Sequence, residues 1–343
     1  MTTAPSENAP WYLGRKFPPL GLSYVAAALE KAGFEVQVLD NYLLKKPIDE
    51  VKQLVKQLNP EIVGMTCSSS TYNKCVETAA AVKEVAPSCK VVVGGWHPSY
   101  VPDSMLQHPQ IDYVVMGEGE QAMVELATYI IKGEREIVLG AIAGVAYKMG
   151  GTILKNTPKF IKNLDEIPFP ARHLLPMDLY ERKMEFLDVE PVDIMSIIRG
   201  CPFNCAFCET RKMWGPACRF FSPKRVVEEI KYMKDKYGSK GIYFINDNFT
   251  IFNFTFKVAC CAVSAVKVYA GHMVRPLGKF SSNGTNTIVH RHCSFASSSL
   301  LSNSVTSKAR GRSICTGVRN HSRSNIMRIF CCRVTVCADF RIH

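Results

Sequence analysis

The sequence lacks any uninterrupted apolar run of the roughly 18 residues that would predict a membrane span. Its first ten residues, MTTAPSENAP, have neither a basic start nor an apolar core, so they predict no secretory signal. These two absences favour a cytoplasmic protein with no membrane span. In a reducing compartment the 14 cysteines are expected to act as metal ligands or buried thiols rather than to form disulfides.

Acidic residues are nearly absent after Ile251. Residues 252–343 contain 13 Lys and Arg but one acid, Asp339, so they carry +12, and residues 1–251 carry 29 charges of each sign. This segment also lacks Glu, Gln and Trp, and it shows no clear apolar periodicity. One interpretation is a basic arm that binds nucleic acid. We favour an out-of-frame tail with no nucleic-acid partner, because the rest of the chain has no net charge.

Helix and strand patterns alternate over residues 19–155. The predicted helices are 19–33, 48–59, 71–86, 100–107 and 117–133, and the predicted strands are FEVQVLD, EIVGMT, KVVVGG and DYVVMG. This alternation is typical of an α/β domain with a doubly wound parallel sheet, flavodoxin-like or Rossmann-like, with helices on both faces. We assign it to residues 1–150. Residues 1–18 show no apolar strand pattern, so the first strand of this domain is predicted to be missing.

A second β/α series begins after a proline-rich connection at residues 151–192. It comprises a strand in DIMSIIRG, a helix in SPKRVVEEIKYMKDKYG with Ser222 as its N-cap, and a strand in GIYFIND. The series is legible over residues 193–251 and then stops. We therefore predict a truncated second domain, and we expect the chain as written to be inactive.

Three cysteines lie within eight residues, in the loop between the first strand and the helix of this series. Cys201, Cys205 and Cys208 have the spacing Cys-x-x-x-Cys-x-x-Cys. A structural zinc site normally needs four ligands, and Cys218 could be the fourth. Ferredoxin clusters also use four cysteines, at other spacings. Three thiolates on a cubane cluster would leave one iron open, which suits catalysis.

The stretch RGCPFNCAFCET resembles the signature of the radical S-adenosylmethionine (radical SAM) enzymes. The resemblance implies that the three cysteines hold a 4Fe–4S cluster whose open iron chelates SAM, with Phe207 beside the adenine. FINDNFT resembles the segment that ends the family's second barrel strand, which implies SAM contacts for Asn246 and Asp247. A solvated strand end explains these two residues equally well. The remaining cysteines before the tail are predicted to be buried or half-buried thiols: Cys67, Cys75, Cys89 and Cys218.

Small residues follow three strands of the first domain, at the carboxyl edge where open parallel sheets bind ligands. The motif GEGEQA also fits a dinucleotide fingerprint, but Glu118 and Glu120 would repel a pyrophosphate, so NAD is the weaker interpretation. RKFPPLGLSYVAAALEKAGFEVQVLD, VVVGGWHPS and DYVVMGEGE together resemble the cobalamin-binding domain of one radical SAM subfamily. The implied cobalamin residues are Thr66, Ser68, Ser69, Ser70, Gly94, Gly95, His97, Gly117, Glu118 and Gly119.

The motif Asp-x-His-x-x-Gly, whose histidine ligates cobalt in many cobalamin domains, is absent from the sequence. His97 is the histidine nearest to the predicted site, and we expect it to be a hydrogen-bonded structural residue rather than a cobalt ligand. The resemblance implies radical methyl transfer from methylcobalamin to a carbon or phosphorus centre of a small molecule, with flavodoxin or ferredoxin as electron donor. A porphyrin-cyclase type of reaction and an inactive cofactor-binding fragment are the alternatives.

Overall fold

The computed structural model describes residues 17–133, 138–184, 187 and 189–246, and the backbone of residues 267–270. Asp247 and all of the predicted tail except residues 267–270 lie outside the described residues. In the described part of the chain, no helix combines the length and the apolar character that crossing a bilayer requires.

The first domain is a five-stranded sheet flanked by helices, which confirms the predicted α/β class. Its strands, in the order β1-β2-β3-β4-β5, are Ile62–Thr66, Lys90–Gly94, Tyr113–Val115, Val145–Met149 and Thr152–Lys155. Its helices, α1 to α7, are Leu20–Lys31, Asn41–Leu44, Ile48–Leu58, Tyr72–Val85, Trp96–Tyr100, Pro102–Leu106 and Gly119–Ala127. A π turn, Thr128–Lys132, prolongs α7.

The first three strands are parallel, as predicted, with Val63 opposite Val91 and Val93 opposite Val114. The last two strands were not predicted. β4 pairs antiparallel with β3, and β5 pairs antiparallel with β4, so the sheet is mixed and continues past residue 150. The positive φ of Gly150 and Gly151 explains the tight turn between β4 and β5, because glycine adopts this conformation without a steric penalty.

Residues 34–39, predicted as a strand, are not part of a sheet. They border a cavity that strand β1 also borders. A strand forms only where a neighbour completes its main-chain hydrogen bonds, and within the described residues no strand stands beside this segment. A doubly wound sheet would supply this neighbour as its first strand; residues 1–16, which precede α1, lie outside the described residues.

The second domain contains a parallel sheet and a separate antiparallel pair of short strands. Strands β6, β7, β8, β9 and β10 are Val192–Met195, Ile198–Arg199, Arg219–Phe220, Gly241–Phe244 and Lys267–Ala270, and helices α8 and α9 are Thr210–Trp214 and Pro223–Tyr237. β10, β9 and β6 pair in that order, all parallel, and β7 pairs antiparallel with β8. The predicted strand DIMSIIRG is therefore two strands. Ser222 caps α9 as predicted, since its Oγ accepts from the Arg225 amide at 3.2 Å.

Strand β10 lies inside the segment predicted to be an out-of-frame tail. Its sequence, KVYA, is four residues long, which is too short for an apolar period to show. Sheet pairing in the second domain thus continues beyond the boundary predicted at Ile251.

A buried ion network attaches the interdomain connection to helix α9. Arg172 donates to one carboxylate oxygen of Glu229 at 2.9 Å, and Arg225 pairs with the other at 2.8 Å. The Arg225 guanidinium also lies 3.9 Å from the centroid of the Phe169 ring. The connection, predicted only as irregular, is therefore fixed against the second domain.

Candidate functional site

The cavity between β1 and residues 34–39 has a volume of about 800 Å³, and it extends along the carboxyl edge of the first sheet to the second domain. Val25 of α1, Leu54 of α3 and Met123 of α7 contribute to its apolar walls. Five of the predicted cobalamin residues line it: Thr66, Gly94, Gly95, Gly117 and Gly119. On the side of the second domain, its lining includes Ser196, Arg199, Gly200, Thr210, Trp214 and Asn246. The edges of both domains thus open onto one space.

Gly95 brings the backbone after β2 into close contact with the end of β1. Its φ is +104°, and a Cβ added there would lie 2.8 Å from the Cys67 carbonyl oxygen and 2.9 Å from the Thr66 hydroxyl. No side chain fits at this position, which explains why the sequence has glycine there. Because Gly95 has no side chain, this part of the cavity edge stays open.

The other five predicted cobalamin residues do not line the cavity. Ser68 forms a capping box with Thr71, and its hydroxyl lies 2.9 Å from that of Ser70. Their polar groups therefore stabilise the turn before α4. Glu118 and the pair formed by Ser69 and His97 also make their contacts within the protein.

Both ring nitrogens of His97 have hydrogen-bond partners. Nδ1 lies 3.1 Å from the Ser69 hydroxyl, and Nε2 lies 2.9 Å from the Ser104 hydroxyl. Burial lowers the pKa of His97, which favours the neutral ring. This geometry agrees with the structural role expected for His97, since neither nitrogen is left to coordinate a metal.

Residues 117–120, here called the acidic loop, comprise the end of the connection after β3 and the first two residues of α7. Glu118 pairs with Arg219 at 2.7 Å, and Glu120 pairs with Arg199. The four side chains are at most 12 % exposed. Sequence reasoning identified two acids in an unfavourable position for a phosphate, but it missed the two arginines. The available signal was Arg199 itself, a charge at the end of an apolar strand two residues before the first cysteine.

Residues 200–218, here called the cysteine loop, connect β7 to β8. Cys201 is buried, Cys208 is half-buried and Cys205 is exposed. Within the described residues no three Cys, His, Asp or Glu side chains converge as a metal-ligating group, so the three sulfurs share the loop without meeting. None of the seven described cysteines is in a disulfide.

The ends of the cysteine loop are held tightly together. Gly200 has a φ of +94°, and a Cβ there would lie 2.0 Å from the Ala217 carbonyl oxygen. The Cys201 amide donates to the Gly215 carbonyl at 3.1 Å. Any side chain at Gly200 would force the two ends of the loop apart.

The remaining cysteines are where the sequence predicts them. Cys67, Cys75 and Cys89 are buried, and Cys218 is half-buried. The Cys218 thiol donates to the Gly200 carbonyl at 3.6 Å. Burial, and next the neighbouring Cys201, raise the pKa of Cys218, which favours its protonated form. Cys218 is thus a half-buried thiol with a partner in the protein, as the sequence predicts.

The two described residues predicted to contact SAM differ in their surroundings. Phe207 is 90 % exposed. Asn246 accepts from the Ile197 amide at 2.7 Å and donates to the Ile198 carbonyl at 2.9 Å. It also borders the cavity. Its side-chain amide thus attaches the end of β9 to the strand that enters the cysteine loop.

Comparison with protein families assigns a segment in each of the two domains. The B12 binding domain family matches residues 12–127, and the Radical SAM superfamily matches residues 195–271. The chain belongs to the radical SAM proteins that carry a B12-binding domain. The radical SAM match includes β10 and ends beyond the boundary predicted at Ile251. It leaves residues 272–343 unmatched.

Three relatives of this radical SAM chain have named activities. An uncharacterised methyltransferase of Pyrococcus horikoshii is 35% identical over 73% of this chain and 53% of its own length. The cytidylyl-2-hydroxyethylphosphonate methyltransferase of Streptomyces wedmorensis is 27% identical over 68% and 51%. The anaerobic magnesium-protoporphyrin IX monomethyl ester cyclase of Rubrivivax gelatinosus is 32% identical over 63% and 39%. The chain spans about half or less of these relatives.

A solved structure shares the fold. The radical SAM methyltransferase TsrM from Kitasatospora setae, solved with cobalamin and a [4Fe-4S] cluster, superimposes with a TM-score of 0.59 at 18% identity, covering 76% of this chain and 51% of that one. At this identity the similarity shows the fold alone.

The residues of this chain fit such cofactors chemically. Three thiols in one loop, with no disulfide among them, are suitable donors for an iron–sulfur cluster with one open iron. The glycine edge at Gly94 and Gly95 leaves the backbone open to a bulky ligand. In the described residues the three sulfurs do not converge, so the donor set fits the cluster by its chemistry rather than by its geometry.

Proposed function

We propose that this radical SAM chain binds a 4Fe–4S cluster, SAM and cobalamin, and that it is part of an enzyme that transfers a methyl group to a carbon or phosphorus centre of a small molecule. The observation that carries the proposal is the shared cavity, which is bordered by the glycine edge of the first sheet and by Gly200 and α8 of the cysteine loop. The three cysteines lie in the same loop but do not line the cavity. A transfer between two cofactors requires that both reach the same space.

Each element of the site has one task in this proposal. Cys201, Cys205 and Cys208 hold the cluster, and Gly94 and Gly95 let cobalamin approach the sheet. When bound, the cluster supplies an electron and an open iron for SAM, and cobalamin supplies the methyl group. The apolar walls around Val25, Leu54 and Met123 keep water from reactive groups.

Two indole rings stand at the cavity where the domains meet. Trp96 follows the glycine edge and Trp214 ends α8, and their ring centroids lie 6.3 Å apart in an edge-to-face arrangement. The Tyr100 hydroxyl donates to the Glu209 carbonyl at 2.7 Å on the same side. These contacts hold the glycine edge against the helix that follows the cysteines, as a positioned transfer requires.

A cyclase-type reaction is the second candidate, and the 32% identity to the Rubrivivax cyclase favours it. Both candidates need an external electron donor, for which a flavodoxin or a ferredoxin is suited. The products separate the two reactions, because methyl transfer adds one carbon to the substrate and ring closure adds none. A chain that binds the cofactors without cleaving SAM would be an inactive fragment.

The cluster is tested by anaerobic reconstitution of the full chain with iron and sulfide. We expect about four irons per chain, and we expect the Cys201→Ala, Cys205→Ala and Cys208→Ala triple variant to bind none. Cys218→Ala is the matched control and should keep its iron. Loss of metal in Cys218→Ala would favour a four-cysteine site, and unchanged iron in the triple variant would refute the assignment.

Cobalamin binding is tested by absorbance titration with hydroxocobalamin. Gly94→Leu places a side chain in the cavity and should weaken binding by at least about tenfold, because the lost contact area exceeds a few buried methylenes. Gly140→Ala lies outside the cavity lining, where the new methyl group meets the Tyr147 hydroxyl at an ordinary 3.5 Å. Equal affinity in the two variants would contradict binding at the glycine edge.

A further inference from the structure

We infer that Glu118 and Glu120, from the first domain, position the cysteine loop and set the charge around its cluster. The inference rests on the proposed function, and it gives these acids a role other than contact with cobalamin. It starts from the buried ion pairs between the acidic loop and the two strands that flank the cysteines.

The first pair fixes the strand that leaves the cysteine loop. Glu118 pairs with both terminal nitrogens of Arg219 in β8, at 2.7 and 3.0 Å. Its carboxylate also accepts from the Ile161 amide at 2.6 Å. Arg219 in turn donates to the carbonyl of Trp214, which lies inside the loop, at 2.6 Å. One carboxylate therefore fixes β8 and the end of α8 together.

The second pair fixes the strand that enters the loop. Arg199 of β7 pairs with Glu120 and lies 3.5 Å from a Glu118 oxygen. Its guanidinium also lies over two rings, 5.4 Å from the centroid of Tyr24 and 5.0 Å from that of Trp214. Only Gly200 separates Arg199 from Cys201. A shift of Glu120 would therefore be transmitted to the first cysteine.

The four charges sum to zero in a place that excludes water. Two carboxylates face two guanidinium groups, and the side chains of Glu118 and Glu120 are 0 % and 8 % exposed. Charges act over longer distances where the dielectric is low. Removing one negative charge leaves a net positive charge beside the loop. That charge stabilises the reduced, more negative cluster, so the midpoint potential of the cluster should rise.

Redox titration of the reconstituted full chain, followed by electron paramagnetic resonance, tests this inference. Glu120→Gln should shift the midpoint potential of the cluster to more positive values at unchanged iron content. Glu125→Gln removes an acid from the same helix whose partner is the neutral Gln121, and it should keep the native potential. Equal potentials in the two variants would overturn the inference.

A double variant separates charge from structure. Glu120→Gln combined with Arg199→Gln restores neutrality, so the midpoint potential of the cluster should return towards the native value. A purely structural role predicts instead that the double variant loses more bound iron than Glu120→Gln does. If Glu120→Gln binds no iron, Glu120→Asp provides the test, because it keeps the charge. It should bind iron and give a cluster with the native midpoint potential. If neither variant binds iron, the inference is overturned. A native chain that takes up no iron would refute the proposed function, and the inference with it.

Discussion

The acidic loop and the cysteine loop meet at the same cavity but are built in opposite ways. The side chains of Glu118 and Glu120 are buried, and each has an arginine partner. In the cysteine loop, Phe203 and Phe207 are 48 % and 90 % exposed, and the three sulfurs do not converge. The first loop is preformed and belongs to the folded protein. The second leaves its aromatic rings and one of its thiols exposed.

The largest expected effect is on iron binding by the cysteine loop. Cys205→Ala should abolish iron uptake while leaving the free energy of unfolding of the metal-free chain within about 0.5 kcal/mol, because this thiol is exposed. Iron analysis after reconstitution and chemical denaturation measure the two quantities. Cys89→Ala should show the reverse, with iron retained and stability lost at a fully buried site. A similar iron loss in both variants would show that iron uptake does not depend specifically on the cysteine loop.

Glu118→Leu should lower the free energy of unfolding of the metal-free chain by about 3 to 5 kcal/mol, because it leaves two buried arginines without their shared carboxylate. Urea denaturation measures the loss. Glu125→Leu, on the same helix, should cost less than about 1 kcal/mol. A loss of that small size in Glu118→Leu would show that the acidic loop is not preformed by its ion pairs.

His97 should make stability depend on pH at the glycine edge. Burial lowers its pKa below the ordinary 6.5, so the folded state favours the neutral ring. Its contribution is therefore present above pH 6.5 and is lost as the pH falls towards the folded pKa. The loss should stay below about 1 kcal/mol, because the ring is partly solvated and screened.

Thermal unfolding at several pH values checks this behaviour. His97→Gln should flatten the dependence on the acid side. A native chain whose stability rises on acidification below pH 6.5 would contradict the assigned sign.

The smallest expected effect on stability is that of Phe207→Ala. Its ring is 90 % exposed, so the metal-free chain should unfold within about 0.5 kcal/mol of the native free energy. If the ring packs on the adenine of SAM, the reconstituted variant should bind SAM roughly 3- to 10-fold more weakly, as expected for one lost aromatic contact. Calorimetric titration with SAM measures it, and an unchanged affinity would remove Phe207 from the site.

Local patterns predict most of the fold, and the failures share a physical cause. KVVVGG and EIVGMT become strands because their runs of apolar and β-branched residues are buried against neighbouring elements. FEVQVLD has the same kind of pattern, but its state depends on a neighbouring strand that no pattern within the segment reveals. The hairpin after residue 144 was missed because its outer strand has a partly exposed pattern.

The candidate site shows the same limit. The spacing of the cysteines is local, and the sequence alone identifies it. The pairing of Glu118 with Arg219 joins residues 101 positions apart, so only the folded chain reveals it. The sequence analysis expected the two acids to repel a phosphate, and it did not indicate the arginines that pair with them.

The hydrogen bonds of Asn246 have a consequence for biosynthesis. Asn246 holds the backbone that enters the cysteine loop, yet it follows Cys208 by 38 residues in the chain. At about 5 to 20 residues per second, the ribosome needs roughly 2 to 8 s to add that length. During this interval the three thiols emerge before the residue that shapes their loop. Under the proposed function, these thiols therefore have to stay reduced until the loop has formed around its iron.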